Sequence, residues 1–231
     1  MLVLENIVIT QDDFRLTADF ALSTGARVAV IGPSGAGKST LLSVISGFFP
    51  AASGRILWEG RDISRLPPGE RPLSILFQDQ NLFPHLTVAE NVGLGLRPNL
   101  RLSPAEAARV EEALARTGLR GMADRRPGTL SGGQQSRVAL ARVLLRSQPL
   151  MLLDEPFSAL GPALKEEMLD LVSDIASETG ATVLMVSHDP EDARRFSSET
   201  IVVAEGRAAP PEPTQALLDN PPPALAAYLG T

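Results

Sequence analysis

The chain contains no cysteine, which excludes a disulfide framework and any thiolate metal site. A reducing compartment fits that absence without being proved by it. Basic residues are not in surplus either: 21 Lys and Arg stand against 27 Asp and Glu, a formal net charge of −6. This argues against a nucleic-acid binder held by a broad basic surface. The stretch from Met1 to Phe20 carries Glu5, Asp12, Asp13 and Asp19, where a secretory leader would show a basic start and an apolar run. No uncharged stretch is long enough to cross a bilayer as a helix, so any membrane role is expected to be peripheral, through a partner. What is present is a 231-residue chain that is 44% hydrophobic, sufficient for one large domain or a domain with a lobe grown out of it.

Short β-type runs at 2–9 and 15–22 come first. Arg27-Val28-Ala29-Val30-Ile31 is an apolar run that ends in a glycine-rich turn and a helix-like stretch, 38–47. Strand, glycine loop and helix form the entry to an α/β nucleotide fold. Residues 55–58 and 73–77 read as further strands. From 88 to 146 the texture becomes helical, with a start at Ser103-Pro104-Ala105-Glu106, where Ser caps, Pro suits the first turn and Glu follows three residues on. Strand patterns resume at 150–154 and 182–186, with a long helix expected over 162–179. That is a βαβ unit on a parallel sheet. The Pro-rich segments 209–213 and 221–223 are expected to leave the tail on the surface, without chemistry.

Gly32-Pro33-Ser34-Gly35-Ala36-Gly37-Lys38-Ser39-Thr40 satisfies G-x-x-x-x-G-K-[ST]. Its glycines let backbone N–H groups turn toward phosphate oxygens, and the following helix offers its positive end to the same anion. In that arrangement Lys38 reaches the β- and γ-phosphates and the Ser39 hydroxyl ligates Mg²⁺. Leu150-Met151-Leu152-Leu153 buries a strand, and Asp154 and Glu155 emerge at its carboxyl end. Asp154 is the candidate Mg²⁺ ligand and Glu155 the base that orients and deprotonates the attacking water. Phosphate loops serve many enzymes, and the segment that narrows the class is Leu130-Ser131-Gly132-Gly133-Gln134, a second anion-binding helix start. One nucleotide does not need two such sites from one chain. The economical reading is that this one faces ATP held by another copy.

The phosphate loop, Gln78, Leu130–Gln134, Leu150–Glu155 and His188 follow the order and approximate spacing of ABC transporter ATPase subunits, and the resemblance covers nearly the whole chain. It implies a P-loop core with a mainly parallel sheet, an N-terminal antiparallel β part and an inserted helical part. Residues 1–85 and 148–231 would make the core and 86–147 the lobe. It implies a head-to-tail homodimer with each ATP between Lys38 of one copy and Ser131 and Gly133 of the other. Gln78 would sense Mg²⁺ and the water, and His188 would contact the γ-phosphate. Read alone, Gln78 is simply a polar residue ending a strand. The apolar part of 82–88 divides between core and a groove for a permease helix. The resemblance further implies a peripheral subunit on the cytoplasmic face of the bacterial inner membrane, a permease partner, an external solute-binding protein and no nucleic acid.

Two departures from the family stand out. Gln11 occupies the position of the aromatic that stacks on adenine, and Phe14 is the nearest ring. Gly161, in Phe157-Ser158-Ala159-Leu160-Gly161, stands where relatives carry an Asp that communicates across the dimer. Gln135 and Ser136 also differ from the commonest wording. The phrases 72–96, 156–173 and 182–195 most resemble the ATPases of bacterial thiamine importers. Polyamine- or iron-type importers and soluble ABC ATPases are the alternatives.

Overall fold

The computed structural model of the protein describes residues 1–158 and 160–229. Two long strands, β1 (Leu2–Gln11) and β2 (Phe14–Leu22), pair antiparallel with Gln11 opposite Phe14. Their burial largely alternates, so one face lies on the core and the other is wet. In β3 (Arg27–Ile31) four successive residues, Val28 to Ile31, are buried, the mark of a strand covered on both faces. It leads through the glycine loop into α1 (Lys38–Ser46), which stops at the left-handed Gly47. β4 (Ser53–Trp58) and β5 (Arg61–Asp62) extend the antiparallel part beyond β1. β6 (Leu73–Leu76) ends one residue earlier than its apolar run suggests.

Three helices follow: α2 (Val88–Gly93), α3 (Pro104–Arg116) and α4 (Gly132–Arg146). Each begins with a reciprocal capping box, from Thr87 and Glu90, Ser103 and Glu106, and Ser131 and Gln134. They share a hydrophobic cluster that includes Val88, Val92, Leu114, Val138 and Leu145. The chain then returns to the sheet through β7 (Leu150–Asp154), α5 (Pro162–Thr179) and β8 (Thr182–Val186), with the bounds expected for the βαβ unit.

After α6 (Pro190–Phe196) come β9 (Glu199–Ala204), β10 (Arg207–Ala208), β11 (Glu212–Pro213), α7 (Thr214–Asp219) and α8 (Pro223–Leu229). Here the structure departs from the expectation of a surface tail. β11 pairs with β9, and Leu217, Leu218 and Leu225 join Ala29, Ile31 and Ala193 in one buried cluster. The prolines mark starts rather than breaks, because Pro223 opens α8, where its missing N–H costs nothing.

The strand order is β5-β4-β1-β2-β10-β9-β3-β8-β7-β6, with β11 on β9. β9, β3, β8, β7 and β6 run parallel. The carboxyl ends of β3, β6, β7 and β8 therefore share one edge, which gathers the loops that follow them. The fold is α/β, a P-loop core with an antiparallel β part and a helical lobe inserted between β6 and β7.

Candidate active site

The glycine loop leaves β3 through Gly32 at φ 148°, where a Cβ would stand 2.0 Å from the Val203 carbonyl oxygen. No side chain fits that approach. Gly37 adopts φ 100° and caps α1 without a side-chain acceptor, so the first N–H groups of the helix stay free for an anion. Its missing Cβ also makes room for Phe14, whose Cζ would lie 2.4 Å from that atom. Ser34, Gly35 and Ser39 are exposed on the loop, with Pro33, Ala36 and Thr40 half-buried. Lys38 is buried and donates at 2.9 Å to the carbonyls of both Gly32 and Pro33. Burial pulls its pKa down, while the Glu155 and Asp154 carboxylates work against that pull.

Asp154, at the end of β7, is 8% exposed and accepts from the Ser39 hydroxyl at 2.9 Å. Burial raises its pKa above the carboxylate norm; the Ser39 hydrogen bond lowers it, the Glu155 charge raises it and Lys38 lowers it. Glu155 follows in a left-handed conformation, φ 43°, with its N–H on the Val186 carbonyl at 3.2 Å. Such a conformation costs of order 1–3 kcal/mol for a side chain with a Cβ and persists where the surroundings enforce it. Its Oε2 lies 3.2 Å from Nδ1 of His188, which follows β8. A cavity of about 50 Å³ lies against Glu155, Lys165, Ser187 and His188, with room for water beside the carboxylate.

The remaining expected residues are arranged less tightly. Gln78 sits in the exposed turn after β6, on the same sheet edge, and among the described residues it makes no hydrogen bond to Asp154 or Glu155. Ser131 caps α4: its hydroxyl accepts from Gln134 N–H at 3.3 Å, and Gln134 Oε1 accepts from Ser131 N–H at 3.0 Å. Ser131 and Gly132 are exposed and Gly133 is half-buried, and the two glycine N–H groups at this helix start have no intrahelical partner. Gly161 is the N-cap of α5, at φ −66° and ψ 157°, with no side-chain cap. Ala159 lies outside the described residues.

Several contacts were not legible in advance. Gln80 Nε2 donates to the Ser136 hydroxyl at 2.6 Å, and the Arg142 guanidinium donates to the carbonyls of Gln80 and Asn81. Both residues of that turn are left-handed, and α4 therefore grips the loop that carries Gln78. Lys165, one turn into α5, pairs with Asp189 at 2.5 Å and Asp192 at 2.7 Å, both just after His188. The Tyr228 hydroxyl donates to the His188 carbonyl. Asp189, adjacent to His188, was the one signal available; nothing in the spacing of Lys165 or Tyr228 singled them out.

A family model described as ABC transporter matches residues 17–158. A thiamine import ATP-binding protein from Cereibacter sphaeroides is 65% identical over 230 residues, covering all of both chains. One from Ruegeria sp. is 60% identical with the same coverage. Among solved structures, a dimeric ATP-binding cassette in a post-hydrolysis state with ADP and phosphate superposes with a TM-score of 0.82 at 31% identity, over 93% of this chain and 99% of that one.

Proposed function

Because this chain belongs to the ABC transporter family, we propose that it is the ATP-hydrolysing subunit of a thiamine importer. The pairing of Ser39 with Asp154 and of Glu155 with His188, beside an anion-ready helix start, is the observation that supports the chemistry. The thiamine assignment draws on the full-length likeness to thiamine import ATP-binding proteins.

ATP enters with its phosphates over the N-terminus of α1. Lys38 exchanges its carbonyl partners for the β- and γ-phosphate oxygens, and the backbone N–H groups of 33–40 cradle the rest. The Ser39 hydroxyl and the Asp154 carboxylate are hard oxygen donors, and burial raises the pKa of Asp154, a cost that a bound cation would offset. This pair fits Mg²⁺, which typically takes one or two protein oxygens with nucleotide phosphates and water. When bound, Mg²⁺ would supply charge neutralisation at the β- and γ-phosphates. Among the described residues no cluster of three or more His, Cys, Asp or Glu forms a self-sufficient metal cage.

Glu155 takes the proton of a water in the adjoining cavity. The water oxygen bonds to the γ-phosphorus as the bridging oxygen–phosphorus bond breaks, and ADP leaves with the electron pair. His188 holds a γ-phosphate oxygen, and Gln78 orients the water and would join Ser39 and Asp154 in holding Mg²⁺ when it is bound. The Ser131, Gly132 and Gly133 helix start, stiffened by Gln134, closes on the nucleotide of a second copy in a head-to-tail homodimer. Residues 86–147 act as the lobe that carries this start.

The partner side of the machine is a permease. Asn91 is fully buried and ties the 83–87 loop together, donating to the carbonyls of Phe83, Leu86 and Thr87 and accepting from Phe83 N–H. Phe83 of that loop is an exposed large hydrophobic, as are Phe48 and Met1 elsewhere among the described residues, with Phe48 edge-on to Phe77 at 5.4 Å. Val88 is buried, while Leu82 and Leu86 are half-buried and Phe83 is exposed, so the segment divides between core and surface. We assign this exposed apolar surface to a short cytoplasmic helix of the permease, which in turn meets an external solute-binding protein. Among the described residues no helix is long and apolar enough to cross a membrane. The chain would sit on the cytoplasmic face of the inner membrane through its partner.

Glu155→Gln tests the reading. Hydrolysis should fall by about 10²–10⁴-fold while ATP binding persists. ATP should convert the variant to a dimer, measured by light scattering with and without nucleotide. A variant that stays monomeric with ATP even beside its permease would overturn the sandwich.

A further inference from the structure

His188 is lightly held by its own side chain. The imidazole is 57% exposed, and its side-chain contact is the one to Glu155. An imidazole in that state takes its position from its backbone, and the peptide unit that follows it is fixed at both ends. The Asp189 N–H donates to the Ser187 hydroxyl at 3.1 Å, and that hydroxyl donates to Asp192 at 2.6 Å. The His188 carbonyl oxygen accepts from the Tyr228 hydroxyl at 2.5 Å. Lys165 braces the same corner through Asp189 and Asp192. All of these groups except Tyr228 come from α5, α6 or the loop between β8 and α6.

We propose that Tyr228, on the C-terminal helix α8, is a positioning residue for His188 in ATP hydrolysis, acting through the hydrogen bond to the His188 carbonyl. The proposal rests on the reading of His188 as the γ-phosphate contact. α8 is a firm support for such a contact. Leu225 is fully buried among Ile31, which immediately precedes the glycine loop, and Ala193 of α6, and Tyr228 and Leu229 pack on the same cluster. The tail thus packs with the strand that feeds the glycine loop and reaches the corner that carries His188. Tyr228 also keeps its proton, because burial, followed by the Glu155 and Asp189 charges, raises its pKa.

The test is Tyr228→Phe in the full chain, which keeps the ring and removes only the hydroxyl. It should lower kcat about fivefold with KM for ATP unchanged, while Tm falls by no more than the few degrees that one hydrogen bond is worth. The chain has two histidines, His85 and His188, so imidazole NMR separates them once His85→Ala assigns the signals. The His188 signal should move in Tyr228→Phe and the His85 signal should stay. An unchanged kcat, an unmoved His188 signal, or a Tm loss well beyond those few degrees would each overturn the proposal. Full turnover in His188→Ala would instead overturn the reading of His188 itself.

Discussion

Burial works against ionisation of Asp154, and the sign of that cost is testable. Its folded pKa lies above the unfolded value of about 3.9, so the unfolded chain releases the proton more readily and stability is lost as pH rises through the folded pKa. Asp154→Asn keeps an acceptor for Ser39 and removes the charge. We expect the nucleotide-free variant to melt above the wild type at pH 7, with the gap closing as pH falls toward the unfolded value. Thermal scans at the two pH values read it at about 2–4 °C per kcal/mol. Mg²⁺-dependent hydrolysis should drop by about 10²-fold or more. An Asn variant no more stable than the parent at pH 7 would contradict the assigned cost. Phe14 is the second residue-scale case. The sequence shows only that a ring stands near Gln11, whereas the structure packs that ring against Gly37 at the phosphate loop. Phe14→Ala should weaken ATP and GTP alike by about 1–3 kcal/mol, the range of base stacking on an aromatic. Equal affinities before and after the change would exclude Phe14 as the base platform.

At the scale of the element, termini decide more than interiors. α1 ends against Arg71, a buried guanidinium that donates to the carbonyls of Val44, Ile45, Leu66 and Ser64 and so satisfies the helix end without any carboxylate. No local pattern announces that contact, because Arg71 lies far along the chain from the carbonyls of α1. α5 begins without a side-chain cap, and a Cβ at Gly161 would meet nothing within 4 Å. Gly161→Asp should therefore fold without strain and gain a few tenths of a kcal/mol from capping. Its larger effect should fall on turnover, raising or rebalancing ATPase activity with the permease present; unaltered turnover would refute a role for this position in coupling the sites. The long helix of α5 and the start at Ser103 were legible because period and cap chemistry are local. β10 and β11 were not, since two residues have no period to read.

For the whole molecule the claim is a composite site, and mixed dimers test it. Lys38→Ala and Ser131→Arg should each be inactive alone. Mixed, half the dimers would be heterodimers carrying one intact site, so up to about a quarter of wild-type activity should return. No recovery would argue that the signature serves its own chain's nucleotide. The candidate residues 32–40, 131–134, 154 and 155 could be nominated from the sequence itself, because glycine spacing, a strand-end acid pair and a serine-capped helix start are local statements about backbone and charge, whereas His188 was nominated by resemblance. The parallel order of β3, β8, β7 and β6, which brings those pieces to one edge, was readable only as a resemblance, since strand order is set by packing between distant segments. The tail was misread for the same reason. Its prolines are local, but the burial of Leu225 and the reach of Tyr228 to His188 exist only once β3, α6 and α8 share a core. Composition and motif thus determined which chemistry this chain carries. The tertiary structure alone decided which side chains hold that chemistry in place, because such contacts join residues that have no relation along the chain.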